Sequence, residues 1–260
     1  MKINKLKCFG IDSNSGNLAY VIQNDNLNHE QRQEYAKQQN IPVCVFIDQQ
    51  TNELIKVSFY YPHCLSPLCL HGSLAAAKVY FDANPLLSEL DITSSFDKKI
   101  KVTKSLSGEI LIHVVPEFKQ TAEQHKQQIA LLLGRNESDL SNLTISSVGS
   151  PKLLVKIINQ EKLFNLSPDL MAIYEWGKEH SINGIYAYTI TNNGKIYARN
   201  FNHLDPNLED SATGVAACAL SYYLEQNLGI HQGENLNNSC QLNTKFISDN
   251  EIIISGNMFG

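Results

Sequence analysis

Apolar residues fall into short, strand-length runs rather than long helical stripes. The pattern predicts a strand over Lys7–Ile11, a polar turn from Asp12 to Asn17, and a second strand over Leu18–Ile22. Gly16 supplies the backbone freedom that turn needs. Helix formers run from Asn28 to Gln39, with Asn28 as cap. Runs at Val43–Ile47 and Ile55–Tyr61 read as strands, and Pro62 and Pro67 break the pattern before an Ala-rich helix over Ser73–Phe81. Beyond it, Ser107-Gly108 signals a hairpin between Ile100–Val102 and Glu109–Ile112. Helical character returns over Thr121–Leu133, Pro168–Glu179 and Ala212–Leu228. Strands are expected at Leu143–Val148, Leu153–Ile158, Gly184–Thr191, Ile196–Phe201, Gln241–Phe246 and Glu251–Ser255. Many short strands with few helices, in no regular alternation, predict an α+β fold.

Composition narrows the function classes. The chain has 260 residues, 43% hydrophobic and 18% charged, enough apolar mass for one large core or two small ones. Its net charge of −5 and lack of a basic block argue against nucleic acid as a partner. No stretch is long and apolar enough to cross a bilayer, and the lysines of the first residues precede no apolar run; a cytoplasmic protein is expected. The six cysteines are scattered and read as reduced thiols. His63, Cys64, Cys69 and His71 place four soft-metal ligands in one short stretch. Zinc sites usually join two separated ligand pairs, so buried thiols beside a turn are the better reading, and no metal is assigned.

Two segments echo one another. His71-Gly72-Ser73-Leu74-Ala75 lies 142 positions before Thr213-Gly214-Val215-Ala216-Ala217, and each follows a proline-containing loop. A helix that starts with small residues leaves its first amides open, and with its dipole makes an anion site. Two such starts facing one another would hold a small carboxylate from both sides. The alternative is that two Ala-rich core helices merely share a composition.

These segments resemble those of the PhzF (phenazine biosynthesis-like) family, which has the diaminopimelate epimerase fold. Ser15-Gly16-Asn17 resembles its SGN turn, Pro62 through Ala77 its CGHATLAAA segment, and Arg199-Asn200-Phe201 with Glu209-Asp210-Ser211-Ala212-Thr213-Gly214 its RxF…EDPATG segment. Gly149 to Val155 and Gln232-Gly233 fall where the family has comparable turns. The resemblance implies two pseudo-symmetric lobes, residues 1–117 and 118–260, each a curved, mostly antiparallel sheet around a central helix, with the active site between them. It also implies a homodimer and an isomerase or epimerase that moves a carbon-bound proton in a small carboxylic acid without cofactor.

The departures matter. The family's catalytic glutamate lies in N-x-S-E-T-x-F; here the stretch is Asn40 to Phe46, and Val43 takes the glutamate's place. Leu70 replaces a glycine, Ser211 replaces a proline, and His203 stands where the family has proline. Cys69 is then the first acid/base candidate, its pKa lowered at a helix start, or else a small buried hydrophobe. His71 matches the family's active-site histidine. Asp210 is a second acid/base, a helix cap, or both. Gly72, Ser73, Gly214 and Val215 would offer amides to an anion, with Gly16, Asn17, Ser211 and Thr213 as further substrate contacts. Cys44 could partly stand in for the missing carboxylate, with burial in its strand the better reading, and Arg199 is expected to pair with Glu209 or Asp210. A catalytically silent relative that binds a small anion or a protein is the competing reading.

Overall fold

The structure, a computed structural model, describes residues 1–51, 53–201 and 209–260, so His203 lies outside the described residues. The chain forms two units, Met1–Val114 with Ile253–Gly260, and Val115–Ile252.

In the first unit, β1 (Lys2–Cys8) and β2 (Asn17–Gln23) form a hairpin, followed by α1 (His29–Gln39), β3 (Val43–Gln50), β4 (Leu54–Tyr60) and the two-residue β5 (Leu65–Ser66). Then come α2 (Leu70–Ala83), β6 (Glu89–Ser94), β7 (Lys99–Lys104) and β8 (Ile110–Val114). β1 pairs antiparallel with β2, β2 parallel with β3, and β3 antiparallel with β4. β4 pairs antiparallel with β5 and parallel with β6, and β6, β7 and β8 continue antiparallel. Helix α2 packs on β1, β2, β3 and β8, strands from opposite ends of that order, so the sheet curls around it. Its small residues make this possible: Gly72, Ser73 and Ala75–Ala77 are all buried.

The second unit contains β9 (Phe118–Thr121), α3 (Lys126–Leu132), β10 (Leu140–Ser147), β11 (Pro151–Ile157), α4 (Gln160–Phe164), α5 (Leu170–His180), β12 (Ile185–Ile190) and β13 (Ile196–Phe201). It continues with β14 (Glu209–Asp210), α6 (Gly214–Leu224), β15 (Leu228–Gln232), β16 (Cys240–Ser248) and the start of β17 (Glu251–Ser255); β18 (Met258–Phe259) pairs with β1 of the first unit. The closing residues thus belong with the opening ones, a return that a single cut at 117 does not include. From β10 to β16 the pairing pattern of the first unit recurs: antiparallel, parallel, antiparallel, a short antiparallel strand, then parallel and antiparallel. Helix α6 packs on β10, β11 and β16, again from opposite ends of the order, so the second sheet also curls around its own helix. The mixed α+β architecture of repeated curved sheets expected from the sequence is observed.

Each sheet has an outer apolar face as well. In the first unit Ile22, Cys44, Phe46 and Tyr60 pack with Ala36 of α1. In the second, Leu153, Val155, Ile185, Ala187 and Phe201 pack with Ile129 of α3, Leu163 of α4 and Ile173 and Trp176 of α5. Full burial of one such large side chain contributes about 1.5–3 kcal/mol. Asn28 caps α1 as expected, in a reciprocal box: its side chain accepts from Gln31 N and its own N–H donates to Gln31 Oε1, both at 2.9 Å.

Several boundaries differ from expectation. β1 starts at Lys2 and stops at Cys8, because Phe9 takes a left-handed φ of 64°. The helix expected to reach Leu228 ends at Leu224, where Glu225 adopts a left-handed φ of 54°, and Leu228 begins a strand. All six cysteines are free thiols. Among the described residues no helix is long and apolar enough to cross a membrane.

Candidate active site

Cys69 is the N-cap of α2, held with extended φ of −148°. Its Sγ lies 3.3 Å from His71 Nδ1 and accepts the Gly72 N–H at 3.4 Å. Burial pushes this thiol up, but the charge and hydrogen bond of His71, the Tyr61 hydroxyl and the Gly72 amide outweigh burial, leaving the pKa below the ordinary thiol value. Gly72 fits closely there: a Cβ would stand 3.1 Å from Cys69 Sγ, 3.1 Å from Val45 and 3.0 Å from Phe59, so these side chains would have to give way. Ser73 is fully buried; its amide and its hydroxyl both donate to the Cys69 carbonyl, at 2.9 and 2.8 Å. The first-turn amides of α2 that the sequence offered to an anion are thus satisfied within the helix, Gly72 by the thiol and Ser73 by the carbonyl.

The SGN turn abuts this group. Gly16 has φ of 122°, and a Cβ on it would meet the Cys8 carbonyl at 3.0 Å. Asn17 is buried at the start of β2, opposite Cys8, whose Sγ donates to the His71 carbonyl at 3.4 Å. Gly16, Asn17, Cys69, His71, Gly72 and Ser73 therefore form one connected patch of the first unit.

Val43 and Cys44 separate. Alternation along β3 puts Val43 and Val45 on the face that meets α2, while Cys44 joins the outer cluster under α1. Burial pushes the Cys44 thiol up to about 12. Cys44 therefore lies on the face away from α2, Cys69 and His71, and its thiol is held protonated. Val43 itself is fully buried. Leu70 opens α2 and is buried.

The second group lies in the second unit. Asp210, in β14, accepts the Thr213 hydroxyl at 2.6 Å and the Ala212 N–H at 3.4 Å, so it braces the turn into α6. Thr213, not Asp210, is the N-cap residue. Fully buried Gln232 ties the turn together. It donates to the Asp210 carbonyl and the Thr213 hydroxyl at 2.7 and 3.0 Å, and accepts from Thr213 N and Tyr186 OH. The Ser211 hydroxyl accepts from Asn238 Nδ2 at 2.9 Å. Gly214 and Val215 form the first turn of α6, with Gly214 buried. Arg199 pairs with Glu209 through two bonds of 2.9 and 2.7 Å, and its guanidinium also donates to the carbonyls of Leu163, Phe164 and Leu166. It fastens α4 and β14 to β13.

Sequence reasoning missed Tyr61, Gln232 and Lys152 as individual contributors. Lys152 is fully buried in β11; burial drives its amine down to about 7, and Asp210 pulls the other way. The Pro151–Val155 run had been noticed, but a lysine in an apolar strand gives no sign of which face it takes. His63, Cys64, Cys69 and His71 form no metal cage: among the described residues no group of three or more such side chains converges.

Comparisons with known proteins bear on the family and the fold. A family described as phenazine biosynthesis-like protein matches residues 6–257. A protein of Pasteurella multocida described as an uncharacterized isomerase is 23% identical, over 92% of this chain and 84% of its own. The crystal structure of a Bacillus anthracis phenazine biosynthesis protein of the PhzF family superposes with a TM-score of 0.83 at 20% identity, over 100% of this chain and 97% of that one. A hydroxyproline epimerase from Agrobacterium vitis, with bound trans-4-hydroxy-L-proline, superposes with a TM-score of 0.62 at 10% identity, over 99% and 89%.

Proposed function

Because the chain belongs to the phenazine biosynthesis-like family, we propose that it is an isomerase or epimerase moving a carbon-bound proton in a small carboxylic acid. The observation that carries this reading is the Cys69–His71 contact at the start of α2. A thiol with a lowered pKa gives up its proton more readily than an ordinary one, and an imidazole 3.3 Å away can take that proton. Such a thiolate can take a proton from a carbon next to a carboxylate, and the imidazolium can return one. The proposal assigns these roles to Cys69 and His71 in the first unit and a further acid/base role to Asp210 in the second. The proton moves on protein groups alone, so no cofactor enters the step. Gly16, Asn17, Ser211, Thr213, Gly214 and Val215 remain the proposed substrate contacts, while Gly72 and Ser73, whose amides are taken up within α2, instead hold Cys69 in place; the homodimer remains part of the proposal.

Solvent-deuterium incorporation tests it. A panel of small carboxylic acids incubated in deuterated buffer should include one that gains deuterium at carbon. Cys69→Ser, His71→Ala and Asp210→Ala should each slow that exchange by on the order of 100-fold or more, the usual contribution of a general acid or base. Exchange should persist below the ordinary thiol range and fall as pH drops through the lowered Cys69 pKa, because the base is then protonated. Fully buried Val43, at the place of the family's glutamate, supports a second reading, a silent relative that only binds. Thermal stabilisation by an acid that never exchanges its hydrogens would establish that reading and sink the first.

A further inference from the structure

The Cys69 thiol has a hydrogen-bond partner outside its own helix. Phe59, near the end of β4, lies on the α2 face of the sheet: its ring is 3.0 Å from where a Gly72 Cβ would stand. Tyr60 turns outward, into the apolar cluster with Ala36 of α1. Alternation then returns Tyr61 to the α2 face. The ladder with β5 carries that alternation one residue past the end of β4. Phe59 stands opposite Ser66 and Tyr60 opposite Leu65, and the Tyr61 N–H then donates to the Cys64 carbonyl at 2.8 Å. Tyr61 is half-buried there, with its hydroxyl hydrogen-bonded to the Cys69 thiol.

The turn that carries this hydroxyl is fastened from α1. Gln33, in the middle of that helix, donates its side-chain amide to the carbonyls of Tyr61 and Pro62, at 2.8 and 3.2 Å. The helix is itself a fixed mount: Asn28 caps it, and Arg32 pairs with Asp25 before it and with Asp48 of β3. A continuous series of contacts therefore runs from α1 through Gln33 and the turn to the Tyr61 hydroxyl and Cys69 Sγ. A donor stabilises a thiolate only while it is held at hydrogen-bonding distance and angle, so whatever holds the turn also acts on the sulfur.

We propose that Gln33 is a positioning residue for the Cys69 base: by gripping the carbonyls of Tyr61 and Pro62 it keeps the Tyr61 hydroxyl on Sγ. Helix α1, which holds none of the proposed acid/base residues, thereby sets how readily the thiol gives up its proton. The titratable groups around Sγ are His71 from α2 and Tyr61 from the turn. β1 brings Cys8 to the His71 carbonyl, and β3 and β4 bring Val45 and Phe59. Gln33 carries no charge, so its removal reaches the sulfur through the geometry of the turn rather than through a field. This deepens the isomerase reading and rests on it for the reaction alone.

The test uses the full chain with cysteine labelled by 13C at Cβ, whose signal reports ionisation of a buried thiol without a reagent having to reach it. The Cys69 signal is the one lost in Cys69→Ser. Tyr61→Phe keeps the ring and removes only the hydroxyl, and should raise the Cys69 titration midpoint by about one pH unit, a tenfold loss of ionisation. Gln33→Leu keeps the bulk without the donor and should raise it by about half a unit, roughly threefold. The double variant should go no higher than Tyr61→Phe alone. A Gln33 that served only to stabilise α1 would lower the melting temperature and leave the midpoint at its parent value, and that result overturns the proposal. So does a Gln33→Leu shift that adds in full to that of Tyr61→Phe, because the two residues would then act independently. The expected shifts in a protein that exchanges hydrogen in no acid would overturn the isomerase reading and leave this one standing. Exchange that keeps the parent's pH profile in Gln33→Leu would do the reverse.

Discussion

Lys152 carries an energetic cost that fixes the sign of its removal. Its folded pKa lies near 7 against an ordinary 10.5, so between those values the unfolded chain binds more protons than the folded one. Stability therefore rises with pH through that window, and the penalty is complete below about 7. Lys152→Met should stabilise the protein by about 1–4 kcal/mol near neutrality, as apolar replacements of buried charges do. The gain should be largest below pH 7 and fade toward pH 10, as chemical denaturation at several pH values would show. At the other site, Gly72→Ala presses a methyl against Cys69 Sγ, Val45 and Phe59. Overpacking of this kind costs about 1–3 kcal/mol, and here it should also disturb the Cys69–His71 contact, visible as slower thiol alkylation near neutral pH. Cys69 and His71 were legible because they sit together in one motif. Lys152 was not, because its meaning depends on strands drawn from distant parts of the chain, and only register shows that it shares a face with Asn200 and Asp210.

At the level of elements, local chemistry decided what could be read. The Asn28 cap and the helix behind it follow from side chains within one turn, and the structure reproduces them. Asn28→Ala should cost about 1 kcal/mol, since it removes the side-chain oxygen that accepts the Gln31 N–H; thermal unfolding would measure it. The two-residue strands β5 and β14 carry no periodicity of their own and exist because β4 and β13 offer edges to pair with. α4 is similarly short and held from outside: Arg199 collects the carbonyls at its end. The end of α6 was misplaced because the residues after Leu224 still suit a helix, while the left-handed Glu225 and the pairing of β15 with β13 and β16 prevail. For α4 and the end of α6 a contact distant in sequence contributes, Arg199 in the first case and the β13–β15 pairing in the second.

For the whole molecule, the recurring order of pairings explains the echo between the two small-residue helix starts. Each helix lies inside a curled sheet, and only small side chains let the strands approach. The repeat is not a copy in chemistry: the thiol–imidazole pair belongs to the first unit and the Asp210–Thr213–Gln232 brace to the second. Shortening the chain before Asn257 should expose this division. It removes the β18 pairing with β1 and the Phe9 N–H bond to the Asn257 carbonyl, so hydrogen exchange should accelerate in β1 and β2 while β10–β13 stay protected.

The return of Ile253–Gly260 to the opening strands also sets a timetable for the newborn polypeptide. The segment that completes the first sheet leaves the ribosome only after the entire second unit has been translated, on the order of ten seconds later at roughly 5–20 residues per second. Until then the outer edge of β1 is bare, a template for stray strands. Slow elongation through the codons for the second unit and Ile253–Gly260 should therefore lengthen the interval in which a chaperone is needed.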